Sequence, residues 1–491
     1  MAPSTRFILN DRLVETSAPA GLLLLDFLRN HERLTGTKEG CKEGDCGACA
    51  VLIGELAGDA VRYQPATSCL VPLAEVHGRH VVTIEGCNLD AGLTPAQEAV
   101  VEHGGTQCGF CTPGIVVSLH GLLLDDTKRL SLEDVKYALS GHLCRCTGYR
   151  SLKDCADTLD RRLGSRLDGI GGGGQVSGAN PTRRVAALAA AGAIPGYFTT
   201  IAERLRALQE ETPAPDPDAD PDVRIAGGTD LYVQQGEEIP DCHVEVLNRR
   251  PALKRIRRSG GEFRVGALTT FEEFGADPRV VEALPRIGAF NHLIASWQIR
   301  NRATLAGNIV NASPIGDFTA LLLALDARVV LDDGGTRRSV PLREFYRGYK
   351  QMDLRPGELL TEVAFADPAG ARVNFEKVSK RTCLDIASVN SACSIRCTGD
   401  TIADAHVSVG GVAPIPLYLH ETSRALRGSS LDLYTAWEAV RLSQQEIAPI
   451  TDVRGSAEYK RLLARQLLIA HFVTLFPDRF TVEAFHARGV S

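Results

Sequence analysis

The cysteines restrict this chain more than any other feature. Ten of its fourteen fall between Cys41 and Cys155, and only Cys242, Cys383, Cys393 and Cys397 lie beyond. Eight of the ten stand in tight spacings: Cys41-x4-Cys46-x2-Cys49 followed by Cys69, then Cys108-x2-Cys111 and Cys144-x-Cys146. Neighbours as close as Cys144 and Cys146 are not readily bridged by a disulfide. The N-terminal "MAPSTRFILNDR" lacks the charged, apolar and small-residue regions of a secretory signal, so the expected location is the reducing cytoplasm. The fold is therefore expected to gather thiols from separate segments around something that binds sulfur.

Length and composition bound the rest. A chain of 491 residues holds about two to four domains, each able to bury a core. Its hydrophobic share of 44% and charged share of 23% are ordinary for a globular protein. With a net charge of −6 and no basic stripe, nucleic-acid binding has no support. The apolar run "GLLLLDFL" at 21–28 is too short to span a bilayer, so no membrane role is expected.

Residues 5–16 read as two strands around an Asn-Asp turn, followed by a helix over "AGLLLLDFLRNHE". "CGACAVLIGEL" and "HVVTIEG" supply further strands, completing a small sheet over 1–90. Over 91–163 the pattern turns helical, with about four segments, among them "TPAQEAVVEHG", "TPGIVVSLHGLLLD" and "SLEDVKYALSGHL". Residues 164–195 read as a flexible linker. Gly169, Gly171 and Gly174 match G-x-G-x-x-G there, but no apolar strand precedes them, so a linker is the better reading. A further domain is expected over 196–368, interrupted by a surface insert at 211–222, and a strand-rich subdomain closed by helices over 369–491. No repeat of 20–50 residues is evident.

The first quartet has the C-x4-C-x2-C…C spacing of plant-type [2Fe–2S] ferredoxins. Gly40, Gly44 and Gly47 let the loop wrap a cluster closely, with backbone amides turned to the sulfurs. A zinc knuckle is the alternative, although it favours two short C-x2–4-C pairs. The second quartet, Cys108, Cys111, Cys144 and Cys146, places each pair at a helix boundary, where free amides stabilise thiolates. Alone it admits zinc as well as a second [2Fe–2S] cluster. Cys87, Cys155, Cys242, Cys383, Cys393 and Cys397 are expected as small core residues.

The segments "GCKEGDCGACAV", "QCGFCTPGIVVSLH" and "HLCRCTGYRS" resemble the iron–sulfur half of the molybdenum hydroxylases, the xanthine dehydrogenase/aldehyde oxidase family. "RIAGGTDLYV" and "RNRATLAGNIVNASPIGDF" resemble the same family's FAD domain, and "FYRGYKQMDLRPGELL" and "FEKVSKR" extend the match. The resemblance implies an α+β multidomain fold: a β-grasp ferredoxin domain, a four-helix iron–sulfur domain, an α/β FAD-binding domain of the PCMH type and an α+β C-terminal flavoprotein subdomain. With both halves fused in this order, it implies the small, iron–sulfur/FAD subunit of a bacterial xanthine dehydrogenase. That enzyme oxidises hypoxanthine and xanthine to urate in purine catabolism, with NAD+ as acceptor. An aldehyde or N-heterocycle dehydrogenase of the family is the alternative. Fusion argues against carbon-monoxide-dehydrogenase-type chains, and the lone Cys242 within 196–366 argues against hydroxybenzoyl-CoA-reductase types.

Two [2Fe–2S] clusters and FAD are thus the implied cofactors. Gly227, Gly228 and Thr229 read as a tight turn presenting amides to the pyrophosphate, and Gly307 as a close backbone approach, with Thr304, Asn308 and Asp317 as hydrogen-bonding groups. Asp317 could instead cap the helix after it. The resemblance assigns FAD contacts to Arg224, Ile225, Ala226, Gly227, Gly228, Thr229, Asp230, Leu231, Ile294, Thr304, Leu305, Ala306, Gly307, Asn308, Asp317, Leu360 and Lys377, with Glu376 as the alternative to Lys377. Tyr349 is implied near the flavin face where nicotinamide approaches, with a core tyrosine as the alternative. The family's molybdopterin domain has no room after residue 366, so a large molybdenum subunit is implied as partner, in a heterotetramer of two copies of each. Gln107 and the second cluster would face that subunit, and electrons would pass from there to the first cluster and on to FAD.

Overall fold

A computed structural model of the chain describes residues 4–167, 181–211 and 221–489. It divides into two compact units. The first comprises residues 1–249 with 296–302, and the second 250–295 with 303–491.

The first unit begins with a five-stranded sheet of β1 (Thr5–Leu9), β2 (Arg12–Thr16), β3 (Ala50–Ala57), β4 (Ala60–Thr67) and β5 (His80–Val82), in the order β2-β1-β5-β3-β4. Asn10 turns the β1–β2 hairpin at φ 54°, a left-handed conformation that asparagine tolerates. β1 pairs parallel with β5, and the other pairs are antiparallel. Successive side chains on a strand face opposite ways, and on β3 both faces are covered. Val51 and Ile53 join Phe7, Leu24, Phe27 and Val81 on one side. Ala50 and Leu52 join Ile115, Leu119 and Leu122 on the other. β4 was not expected from the sequence, and β5 stops at Val82 where a 3-10 turn (Ile84–Cys87) begins.

Four helices follow: Pro95–Glu102, Thr112–Leu124, Leu132–Leu139 and Arg150–Leu159. Thr94 and Ser131 start the first and third with reciprocal capping boxes to Gln97 and Asp134. From Gly114 to Leu124 every residue of the second is buried, so it is the hub against which sheet and helices pack.

The linker expected over 164–195 is corrected at its described ends. Pro181–Ala190 is a helix, because Arg184 and Leu188 stand one turn apart on a buried face. Arg184 donates from Nε to Leu123 O at 2.6 Å, so its charge sits over carbonyls rather than in apolar surroundings. The G-x-G-x-x-G glycines and most of the 211–222 insert lie outside the described residues. The last part of this unit pairs Val223–Ile225 in parallel with Val244–Val246.

The second unit holds a five-stranded antiparallel sheet ordered Arg337–Pro341, Arg328–Asp332, Leu359–Ala366, Glu262–Gly266 and Ile256–Ser259. A four-stranded antiparallel sheet follows (Ala371–Val378, Val389–Thr398, Thr401–Gly410, Leu417–Tyr418). The helix Ala457–Leu475 packs on it through Leu468 and Phe472, and Leu433–Glu446 packs in turn on that helix. No helix among the described residues is long and apolar enough to cross a membrane.

Candidate functional site

The first quartet sits on the loop entering β3 and on the turn leaving β4. Cys49 and Cys69 are buried, and their sulfurs lie 3.3 Å apart. Cys41 and Cys46 are partly exposed, and the Cys41 amide donates to Cys46 Sγ at 3.4 Å. The amides of Glu43 and Asp45 both donate to Cys41 Sγ at 3.3 Å. Hydrogen bonding from the Cys46 thiol, followed by those amides, lowers Cys41 to about 5, while Cys46 is raised by the same shared proton. Cys49 is likewise lowered by hydrogen bonding from Cys69, which is raised in turn. A Cβ on Gly40 would lie 2.7 Å from Cys46 Sγ, and one on Gly47 would lie 2.4 Å from Gly141 O. Glycine is therefore required for this loop to close on its own sulfurs.

The second quartet spans three helix ends. Cys111 is the residue before Thr112–Leu124, and Cys144 and Cys146 stand in the loop before Arg150–Leu159. Its contacts run across the two sequence pairs, with Cys108 meeting Cys146 and Cys111 meeting Cys144. The Phe110 amide, then the Cys146 thiol, lowers Cys108, while burial pushes Cys111 up to about 12. Burial opposes ionisation of Cys144, yet the Thr147 hydroxyl and amide leave it lowered. Thr147 Oγ1 lies 3.2 Å from Cys144 Sγ. Tyr149 ties the loop: its hydroxyl donates to His142 O at 2.9 Å and accepts from the Cys144 amide at 2.9 Å. Gln107 Nε2 donates to Cys146 O at 3.2 Å.

In both quartets the sulfurs gather in twos. Among the described residues no group of three or more His, Cys, Asp or Glu surrounds one ion position. A [2Fe–2S] rhomb takes two thiolates on each iron, so paired sulfurs, inward amides and a glycine loop without room for Cβ atoms fit such clusters.

The two quartets also touch through backbone. The Leu143 amide donates to Cys46 O at 3.0 Å, linking a residue beside Cys144 to a residue of the first quartet.

The residues expected at FAD form one set in each unit. In the first, Arg224 and Ile225 end the short strand, and Ala226, Gly227, Gly228 and Thr229 make a half-exposed turn with Gly228 at φ 72°. Asp230 then leads into the helix Leu231–Gln235 without a side-chain cap. Arg224 is held by Glu245, with Nε to Oε2 at 3.1 Å. In the second set, Thr304 caps the helix Leu305–Val310, its Oγ1 accepting from the Gly307 amide at 3.0 Å. Asn308 Oδ1 accepts from the Thr319 amide and hydroxyl at 3.1 and 2.9 Å. Asp317 does not cap its helix. Gly316 takes that place, and the carboxylate receives Lys377 Nζ at 2.7 Å and Asn390 Nδ2 at 2.6 Å. Lys377 therefore joins Asp317, whereas Glu376 receives Asn374. Ile294, Leu305, Ala306 and Leu360 are buried. Tyr349 is 64% exposed, which overturns the core alternative. Of the cysteines expected in cores, Cys242, Cys383 and Cys397 are only partly buried, because they sit on turns or a strand end.

Sequence reasoning missed Tyr149, Asn390 and the buried pair Arg302–Glu75. Arg302 lies inside "RNRATLAGN", and a charge in the apolar run "LVPLAEV" was the available signal for Glu75.

Four family models match in order along the chain. They are a 2Fe-2S iron-sulfur cluster binding domain at 7–74, a [2Fe-2S] binding domain at 83–157, the FAD binding domain in molybdopterin dehydrogenase at 198–366, and the CO dehydrogenase flavoprotein C-terminal domain at 375–475. Xanthine dehydrogenase of Blastobotrys adeninivorans is 28% identical over 94% of this chain, and aldehyde oxidase 1 of Rattus norvegicus is 29% identical over 96%. The chain spans 40% and 39% of the lengths of those relatives. Among solved structures, carbon monoxide dehydrogenase from Hydrogenophaga pseudoflava shares 30% identity over 50% of this chain and 86% of its own, with a TM-score of 0.48. With two [2Fe–2S]-binding domains followed by an FAD-binding domain and its flavoprotein C-terminal partner, the chain belongs to the molybdenum hydroxylase family.

Proposed function

We propose that the chain is the iron–sulfur/FAD electron-transfer subunit of an NAD+-dependent xanthine dehydrogenase, working with a separate large molybdenum subunit. The observation that carries this is the presence, on one chain, of two paired-sulfur quartets joined through Leu143 and Cys46, together with a glycine turn of the flavin type. Near-full coverage of this chain by xanthine dehydrogenases supports the choice of substrate.

Cys41, Cys46, Cys49 and Cys69 would hold the first cluster, and Cys108, Cys111, Cys144 and Cys146 the second. The FAD contacts are proposed as the 224–231 turn with Ile294, the 304–308 turn, Asp317, Leu360 and Lys377. When bound, the clusters carry single electrons and the flavin converts them into a hydride for NAD+. The chain itself then needs no general base. Its amides and hydroxyls at Glu43, Asp45, Phe110 and Thr147 favour thiolates, and Asp317 neutralises Lys377. Cys108 and Cys146 are exposed, with Phe110 and Leu143 about half exposed beside them, so the second quartet is the one open to a partner subunit. Exposed Tyr349 is suited to stacking on a nicotinamide.

Aldehyde oxidase 1 matches the chain to the same extent, which favours an aldehyde dehydrogenase of the same family as the second reading. Co-purification with a molybdenum-containing chain, followed by parallel assays of xanthine and aldehydes with NAD+, separates the two. Xanthine-dependent NADH formation is expected, and turnover of aldehydes alone would replace the first reading by the second.

A further inference from the structure

The segment 296–302 lies within the stretch that matches the FAD-binding model, yet it packs among residues of the first unit. Its side chains run from the buried helix Thr112–Leu124 past the first quartet's loop to the 227–228 turn. Gln298 is fully buried and donates from Nε2 to Ser118 Oγ and Ala138 O, both at 3.0 Å, beside His142. Ile299 packs at the first-cluster loop, where a Cβ on Gly44 would meet its Cδ1 at 2.8 Å. Asn301 Nδ2 donates to Pro65 O at 2.9 Å.

Arg302 ends the run. Its guanidinium forks onto the Glu75 carboxylate at 2.6 and 2.7 Å, and Nη2 also donates to Gly227 O at 2.7 Å and Leu70 O at 3.3 Å. The two side chains are only 4% and 7% exposed. Apolar residues of similar volume would fill a core as well as a buried ion pair does. They could not aim several donors in a fixed plane. The carbonyls so held are telling: Leu70 follows Cys69 directly, and Gly227 opens the flavin-type turn. A Cβ on Gly228 would lie 3.1 Å from Leu70 O, so the two segments already meet.

We propose that Arg302 is a positioning residue that holds the Cys69 side of the first cluster against the 227–228 turn and thereby sets the rate of electron transfer between cluster and flavin. The inference rests on the cofactor reading above. The step moves one electron out of the cluster and one into the flavin, with no bond made or broken, so its rate depends on how firmly the two are held.

Flash photoreduction with a deazaflavin supplies the electron to the full chain loaded with both clusters and FAD, and the cluster-to-flavin equilibration is then followed. Arg302→Met is expected to retain iron and flavin while slowing equilibration several-fold, because electron tunnelling weakens with each ångström added between cluster and flavin. Arg302→Lys keeps the charge without the fork and is expected to fall between the two. In the cofactor-free chain, the amides of 70–76 and 227–229 should exchange with deuterium faster in both variants than in the wild type. Wild-type equilibration at full cofactor content, in either variant, overturns the proposal. Should the Met variant fail to fold, the Lys variant decides on the same terms. A wild-type chain that takes up neither iron nor FAD overturns the cofactor reading instead, while the exchange comparison still tests whether Arg302 clamps the two segments.

Discussion

At the scale of single residues, what the site demands is space for sulfur. Gly40 has no room for a side chain, since a Cβ there would sit 2.7 Å from Cys46 Sγ. Gly40→Ala is therefore expected to lose the first cluster and keep the second, leaving about two irons per chain and one electron paramagnetic resonance signal of two. Retention of both signals would show that the loop does not close as described. Arg302 and Glu75 answer to a different logic, because removing either takes away the other's buried fork partner, although Glu75 keeps Arg79 Nη1 at 3.4 Å and Arg302 keeps its two carbonyls. Arg302→Met is expected to cost about 3–5 kcal/mol of stability, and adding Glu75→Gln should recover part of it. Denaturant titration of the single and double variants measures the difference, and an additive result would deny that the pair is coupled.

At the scale of elements, the helix Thr112–Leu124 carries the first unit. It starts at Cys111, and its middle is buried against β3 and the neighbouring helices. Leu119→Ala is expected to destabilise the chain by about 2–5 kcal/mol, read as a lower denaturation midpoint at unchanged slope. A change below about 0.5 kcal/mol would contradict the packing described, being what an exposed site gives. Much at this scale was legible beforehand. Capping boxes at Thr94 and Ser131 announce their helices, and the β1–β2 hairpin follows from its Asn-Asp turn. The helix Pro181–Ala190 was less legible, because a glycine-rich stretch precedes it and its buried face rests on an arginine. β4, "AVRYQPAT", was hidden by a central proline and by charge on its outer face.

At the scale of the whole molecule, legibility followed chemistry rather than fold. Cysteine spacing points to its own partners because thiolate ligands are tied to short loops, whereas the partners of Asp317 lie 60 and 73 residues away and only folding reveals them. The crossing of contacts between Cys108–Cys111 and Cys144–Cys146 was equally invisible in one dimension.

Acid sensitivity is also a property of the whole. Burial lowers His80 and His471 to about 3 and His120 to about 4. His80 is fixed as a neutral ring between the Tyr63 hydroxyl and Asn10 O, at 2.9 and 2.8 Å. Folded values below the unfolded value of about 6.5 mean that the unfolded chain binds more protons, so stability is intact above that pH. It is expected to fall as pH drops from about 6.5 toward 4, by on the order of 2 kcal/mol for each ring. Denaturation midpoints that stay level from pH 7.5 to pH 4.5 would contradict this, since the interval crosses the unfolded value and ends above the folded ones.

The central claim is that one chain carries two [2Fe–2S] clusters and a flavin, with the second cluster separable from the rest. Spectroscopy of the purified chain beside its Cys144→Ser variant tests it most directly. The account predicts about four irons, one FAD and two distinct signals on reduction for the wild type, and loss of one signal with FAD and the other signal kept in the variant. A colourless, zinc-loaded wild-type chain, or a variant that loses both signals and the flavin together, would contradict it.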